Sequence, residues 1–307
     1  MNRVDVLRLR HRVLRETRAF FDARGFVEVE TPALVASPGT EPHIEAFEVV
    51  GARGPRWLSP SPELHMKRLL CAGMERIYQI CHAFRRGELG GLHEPEFTML
   101  EWYRAHAGSD EVIRDTEDLV AHLAGALTPD NPSLWRGKQR VDAAPPWERL
   151  SVREAFARHA SVQLDDVVGD DDQFYRVLVD EIEPRLGHER PTFLTRYPAR
   201  MASLARLHPD DPTVADRFEL YVAGVELCNG FGELTDVDEQ RRRFERDLVA
   251  RHRLGKPAHP IDEHFLAALA GGMPPSGGNA LGLDRLLMLL TGADAVADVM
   301  AFPEALR

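Results

Sequence analysis

The sequence predicts an α+β fold, a mainly antiparallel sheet with helices packed against it. Residues 76–84 and 96–104 read as two strands flanking a charged, Gly-rich connection, and 217–222 with 225–229 as a hairpin turning near Gly224. Long helical patterns at 4–24, 110–127 and 236–254 supply the helices, and no internal repeat is present.

Taken in order, the helix at 4–24 carries Val6, Leu9, Val13, Leu14, Phe20 and Phe21, and Gly25 stands where a left-handed C-terminal cap is expected. Phe26-Val27-Glu28-Val29-Glu30 alternates as a short strand, stopped by Thr31-Pro32. Residues 33–56 hold several Pro and Gly and read as loop with short strands. Ser61-Pro62-Glu63 reads as a helix start, with Ser as N-cap and Pro at the first helical position, running to about Ala72. Residues 128–150 contain four prolines and little periodicity, which predicts a surface linker. Ser151-Val152-Arg153-Glu154 is a capping-box signature, and the acidic 165–190 region reads as helical. Gly255 closes the 236–254 helix, and a Gly-rich segment then runs into Leu283-Asp284-Arg285 and an apolar helix.

The chain has 307 residues and 44% apolar content, enough for a sizeable core, and one large domain over 1–307 accounts for it. With 38 basic and 49 acidic residues the net charge is −11, which argues against tRNA as the main partner. Cys71, Cys81 and Cys228 match no zinc or redox spacing and read as buried small hydrophobes in a reducing cytoplasm. No apolar run approaches the ~18 residues of a membrane span, and no signal core precedes the first helix.

Three stretches carry chemistry. The first runs from Ala83-Phe84-Arg85-Arg86-Gly87-Glu88 through His93-Glu94-Pro95-Glu96-Phe97 to Glu101-Trp102-Tyr103. An Arg at a strand end can be held pointing at a phosphate, and an aromatic on the return strand can cover an adenine. In the second, Glu219 and Glu226 lie on opposite arms of the hairpin and could converge on one Mg²⁺, with Asn229 and Glu233 following. In the third, Gly277-Gly278-Asn279-Ala280-Leu281-Gly282 precedes Arg285, which a strand would deliver to a helix N-terminus as an anion site. Alone, each stretch is equally a charged hairpin, a wet sheet face or a Gly-rich turn.

Together and in this order they resemble the signature motifs of class II aminoacyl-tRNA synthetases. Arg24-Gly25-Phe26 through Thr31-Pro32 is similar to motif 1, Arg85 through Phe97 to motif 2, and Gly282-Leu283-Asp284-Arg285 to motif 3. The lysyl enzymes are resembled most, through Ser61-Pro62-Glu63-Leu64-His65-Met66-Lys67-Arg68-Leu69, Pro95-Glu96-Phe97-Thr98-Met99-Leu100-Glu101 and Asn229-Gly230-Phe231-Gly232-Glu233. Motif 1 begins about 24 residues in, which leaves no room for the N-terminal anticodon domain of those enzymes. That points to their free-standing paralogues, the elongation factor P–lysine ligases, which Glu101-Trp102-Tyr103-Arg104 and Asn279-Ala280-Leu281-Gly282 also resemble.

The resemblance implies a cytoplasmic homodimer built on motif 1. It implies use of ATP with Mg²⁺ to activate lysine or (R)-β-lysine as an adenylate, and transfer to a lysine side chain of elongation factor P. It implies that Arg85 holds the α-phosphate and the substrate carboxylate, Arg285 the γ-phosphate, and that His93 positions the triphosphate while Phe97 stacks on adenine. Arg86, Gly87, Glu88, Glu94, Leu227 and Gly282 complete the expected ATP site, and Glu219 and Glu226 the metal site. Glu63 would meet the substrate amine near the carboxylate, and Glu101, Tyr103 and Glu233 the side-chain ammonium. Ser61, Pro62, Asn229, Phe231 and Ala280 would shape the pocket. Three positions depart from the lysyl pattern: Gly87 replaces a Glu, with Glu88 beside it; Glu94 replaces an Asn; Ala280 replaces a Gly. The rival readings are a truncated tRNA-charging enzyme and an inactive binding protein on the same scaffold.

Overall fold

A computed structural model describes residues 2–51, 54–128 and 131–307. Helix α1 (Arg3–Asp22) starts at Asn2, whose side chain accepts the Asp5 N–H, and buries Val6, Val13, Phe20 and Phe21. Gly25 follows it at φ 73° and turns the chain into β1, Val27–Glu28, shorter than the alternation implied. Strands β2 (Leu34–Val35), β3 (Glu48–Val49) and β4 (Arg56–Leu58) form a small sheet in the order β2-β4-β3. Helix α2 (Glu63–Cys71) leads to the long antiparallel pair β5 (Arg76–Phe84) and β6 (Glu96–Ala105), then to α3 (Ser109–Leu127).

The linker expected at 128–150 is instead structured, with residues 129 and 130 outside the described residues. It forms β7 (Ser133–Arg136) and β8 (Gln139–Asp142), a hairpin, and β9 (Glu148–Ser151), an edge strand of the main sheet. Leu134, Val141 and Trp147 enter the core. Strands of four residues give no readable periodicity, and the prolines punctuate them rather than prevent them.

Ser151 caps α4 (Val152–His159) in the expected box: its Oγ accepts the Glu154 N–H while Glu154 accepts the Ser151 N–H. The acidic region breaks into α5 (Leu164–Val167), α6 (Asp171–Val177) and a π turn at Leu178–Ile182. Strand β10 (Thr192–Thr195) and the ribbon β11 (Leu207–His208) and β12 (Asp211–Ala215) precede the hairpin β13 (Arg217–Val222) and β14 (Val225–Gly232). Ala223 and Gly224 both have positive φ, 50° and 71°, as a two-residue hairpin turn requires. Helices α7 (Val237–Arg253) and α8 (Glu263–Ala270) follow, and β15 (Ser276–Gly282) runs directly into α9 (Leu283–Thr291).

The main sheet has the order β1-β5-β6-β15-β14-β13-β10-β9. It is antiparallel from β5 to β10 and parallel only at its two edge pairs. Alternation sorts its faces. Leu100, Trp102, Leu281, Phe218 and Leu220 join residues of α1, α3 and α9 in the principal core. Met66 and Leu70 of α2 pack with Phe244, Phe265 and Tyr103 in a second layer on the other face. Of the cysteines only Cys228 is buried; Cys71 and Cys81 are half-buried, a correction to the expectation.

Candidate active site

Cross-strand register builds the site. One row across the sheet reads Gln79, Glu101, Ala280, Asn229, Glu219, and the next reads Ile77, Tyr103, Gly278, Phe231, Arg217. These residues share one face because each stands an even number of positions from its strand neighbours in the other row. Gly278 is required there. A Cβ on it would lie 2.3 Å from the Tyr103 ring and 2.4 Å from Glu233.

At one end the rows close over a carboxylate pocket. Glu101 is 1% exposed; its oxygens accept the Tyr103 hydroxyl at 2.6 Å and the Ser61 hydroxyl at 2.9 Å. Burial, then the Glu63 charge, pushes its pKa up to about 8. Glu233, also 1% exposed, is pushed up to about 7, chiefly by burial, against the opposing pull of Lys67. Ser61 is not the N-cap. Pro62 occupies that position, and Ser61 accepts the Glu63 N–H at 3.1 Å while donating to Glu101.

Lys67 was not singled out by the sequence. It is fully buried, with Nζ 2.5 Å from Glu63 Oε1 and 2.5 Å from Glu233 Oε2. Despite burial, these two carboxylates raise its pKa above the ordinary lysine value. Asn229 Oδ1 and Glu233 Oε1 are buried with no hydrogen-bond partner among the described residues.

At the other end lie the arginines. The Arg85 N–H donates to Pro95 O at 2.9 Å, which fixes the residue just past β5, and its guanidinium sits 5.2 Å from the Phe97 ring centre. Its Nε is buried and unpartnered among the described residues, and its nearest acid, Glu88, is 3.9 Å away. Gly87 has φ 85°, a conformation that L side chains rarely adopt, so the acid stands one residue later at Glu88. The Arg86 N–H donates to Glu45 O at 2.7 Å, and its exposed guanidinium is 3.5 Å from the Glu45 carboxylate.

Arg285 lies in the first turn of α9, which Gly282 opens. It donates to Leu92 O, to Glu226 O at 2.8 Å and to His93 Nε2 at 2.7 Å. Burial and the Arg285 charge lower the His93 pKa, keeping the ring a neutral acceptor. The neighbouring Asp284, also unsuspected, accepts the Thr98 N–H at 2.6 Å and Arg10 Nη1 at 2.5 Å, tying α9 to β6 and α1.

Two expected ATP contacts sit elsewhere. Glu94 is buried and its carboxylate accepts the Glu304 N–H at 2.7 Å, anchoring the C-terminal segment instead of facing the cleft. The Leu227 side chain belongs to the principal core.

The metal carboxylates differ in freedom. Glu219 Oε1 accepts Arg217 Nη2 at 2.6 Å, and Oε2 accepts the hydroxyls of Tyr197 at 2.5 Å and Tyr221 at 2.6 Å. One lone-pair direction on Oε1 remains. Burial and the Glu219 charge raise the Glu226 pKa, and Arg285 opposes this from 3.4 Å. Crowded negative charge of this kind suits a hard cation. Glu183, not foreseen, adds a third acid: its Oε1 is 3.0 Å from the Tyr221 hydroxyl, and burial with Glu219 pushes it up to about 7. Among the described residues no group of three His, Cys, Asp or Glu could hold a metal by itself, so Mg²⁺ fits this donor set only with substrate phosphates completing its coordination.

Residues 2–306 match the family model for tRNA synthetases class II (D, K and N), which defines the class of protein this sheet and its two arginines build. Relatives named elongation factor P–(R)-β-lysine ligase in Salmonella arizonae, Salmonella dublin and Salmonella paratyphi B are each 42% identical over 299 residues, covering 94% of this chain and 92% of theirs. The chain belongs to the class II synthetase family, within it to these ligases, and it is a ligase.

Proposed function

We propose that the protein uses ATP to convert lysine or (R)-β-lysine into an aminoacyl-adenylate and transfers the aminoacyl group to a lysine side chain of elongation factor P. The observation that carries this is the convergence of Glu101 and Glu233, both buried, with half-buried Glu63, three carboxylates against the single protein cation Lys67, an environment that further positive charge on a substrate would satisfy. The relatives' names support both the amino acid and the acceptor.

In the first step a substrate carboxylate oxygen bonds to the α-phosphorus and pyrophosphate leaves. Arg85 holds the substrate carboxylate and the α-phosphate, its unpartnered Nε supplying a free donor. Arg285, steadied by neutral His93, holds the γ-phosphate. Phe97 covers the adenine, with Arg86, Gly87, Glu88 and Gly282 bordering the nucleotide. Positioning and charge neutralisation suffice, so no general base is assigned. Glu226 and Glu219 would hold Mg²⁺, which would supply charge neutralisation on the phosphates. In the second step the acceptor amine attacks the acyl carbon, AMP leaves, and the amine proton passes to water or phosphate. Glu63 faces the substrate amine near the carboxylate, Glu101, Tyr103 and Glu233 the distal ammonium, and Ser61, Pro62, Asn229, Phe231 and Ala280 set the pocket's shape.

ATP–pyrophosphate exchange with α-lysine, (R)-β-lysine and (S)-β-lysine tests the reading. Exchange that depends on one isomer is expected. Folded protein with Mg²⁺ that exchanges with none of them would overturn it. The proposed setting is cytoplasmic; no helix among the described residues is long and apolar enough to cross a membrane. We also read α1 and β1 as a homodimer face, since Val4 and Val27 there are 59% and 52% exposed. Light scattering giving a monomer mass would remove that part.

A further inference from the structure

We propose that Lys67 is a positioning residue: a permanent internal ammonium that holds the Glu63 and Glu233 carboxylates as an aimed pair before the amino acid arrives. This rests on the reading of the substrate as a diamino acid.

Three carboxylates, Glu63, Glu101 and Glu233, meet one protein cation, Lys67, so the pocket's formal charge is −3 + 1 = −2. A diamino acid brings two ammonium groups, and its carboxylate is left to Arg85, so the filled pocket is neutral. Without Lys67 the two buried carboxylates, Glu101 and Glu233, would retain protons further up the pH scale, because burial and like-charge repulsion both favour the neutral acid. Lys67 also fixes geometry. It takes Oε1 of Glu63 and Oε2 of Glu233 at 2.5 Å each, leaving the buried Glu233 Oε1 without a partner among the described residues.

The charged and titratable groups around Lys67 are few. Glu63 and Cys71 stand on its own helix, Glu101 and Tyr103 on β6, the latter ring 6.0 Å from Nζ, and Glu233 follows β14. Asp216 acts on Glu233 from behind, itself paired with Arg206 at 2.9 Å. Helix α8 contributes the apolar Phe265, Leu266 and Leu269 to the layer beneath.

Linkage fixes the sign of the test. An incoming ammonium must displace any proton held by the carboxylates, so proton competition weakens binding at low pH and vanishes at high pH. In Lys67→Met the competition reaches further up the pH scale. The ratio of its KM for the amino acid to that of the wild type, measured by pyrophosphate exchange, is expected to be about tenfold or more at pH 6.5. It should shrink toward unity by pH 9, with the KM for ATP unmoved. The double variant Lys67→Met/Glu233→Gln restores the charge of −2, and its ratio to wild type should stay flat with pH even though its KM is higher. A KM ratio for Lys67→Met equal at every pH would overturn the proposal. Should that variant not fold, the double variant decides: a flat ratio supports the charge account, and a ratio still rising at low pH overturns it. Wild-type protein that exchanges with no diamino acid would instead refute the substrate reading.

Discussion

At the carboxylate end of the cleft, Glu101 is held by two hydroxyls at 2.6 and 2.9 Å, and Lys67 and Glu233 meet at 2.5 Å with side chains 1% exposed. At the arginine end, Arg85 stands 3.9 Å from Glu88 and Arg285 3.4 Å from Glu226, with side chains 19–38% exposed. The first end is rigid and preorganised, its groups held in place by one another. The second holds Arg285 on main-chain carbonyls and His93 at 2.7–3.2 Å, while both arginines meet half-buried acids only at 3.4–3.9 Å, contacts weak enough to be exchanged for phosphate oxygens. Selection of a small amino acid needs fixed geometry, whereas a flexible triphosphate is captured by arginines kept charged but without close carboxylate partners of their own.

The sharpest break of this contrast is Arg285→Ala or Arg85→Ala. Each removes a donor aimed at developing phosphate charge, and exchange should fall ~10²–10³-fold. Because the acid partner of Arg85 can turn to water, thermal unfolding of Arg85→Ala should move little, within about 1 kcal/mol. A large loss of stability would show that the arginine end is held together as firmly as the carboxylate end. Gly278→Ala attacks the rigid end. Its Cβ would lie 2.3 Å from the Tyr103 ring and 2.4 Å from Glu233, groups that are themselves buried. Displacement of this size should raise the KM for the amino acid and lower kcat, together ~10²-fold, while the KM for ATP holds. Equal damage to both substrates would mean that the two ends are mechanically one.

The legible parts of the molecule are those whose length outruns their period. Strand β6 sets Phe97, Met99, Glu101 and Tyr103 on one face and the hairpin announces itself at Gly224, so the strands were legible, whereas the pocket residues on them came from the likeness of motifs. Lys67 could not. A Glu four residues before a Lys on a helix is the commonest surface pair, and only the tertiary packing of α2 buries it. Glu94 finds its partner at Glu304, and no local pattern encodes a bond across 210 residues. Strands β7, β8 and β9 are four residues each and are held by pairing to distant segments. Of the departures in motif 2, Gly87 was the one with a local cause, its positive φ, but backbone angle is not written in residue type alone.

A smaller effect sharpens the rigid end from within. Ala280 pairs with Glu101 on one side and Asn229 on the other, on the pocket face of the sheet. Removing its methyl in Ala280→Gly widens the space between them by about one carbon, the amount by which the amine of α-lysine and that of β-lysine differ. A change of ~1–3 kcal/mol in the discrimination between the isomers is the most a single methyl can supply. Exchange rates with both isomers in wild type and variant measure it; an unchanged ratio would show that Asn229 or Phe231, not Ala280, sets the preference.

The mildest consequence concerns pH and the empty pocket. Glu101 and Glu233 have pKa values of about 8 and about 7 in the folded protein, above the ordinary carboxylate value. The folded state therefore binds more protons than the unfolded chain between about pH 4 and pH 8. Stability from these two groups is present at low pH and declines as pH rises through that window. Acids elsewhere shifted downward, such as Glu111 and Glu239, work in the opposite direction at lower pH and do not overlap the upper half. The unliganded protein should lose a few degrees of Tm between pH 6 and pH 8.5 at constant ionic strength, roughly 2–4 °C per kcal/mol. Glu101→Gln should reduce that slope, and saturating diamino acid should reduce it further, because two ammonium groups ionise the pocket carboxylates while Glu183 and Asp247 keep their share. At the arginine end Glu183 and Glu226 are pushed up as well, so saturating ATP with Mg²⁺ should raise Tm and remove only their share of the slope.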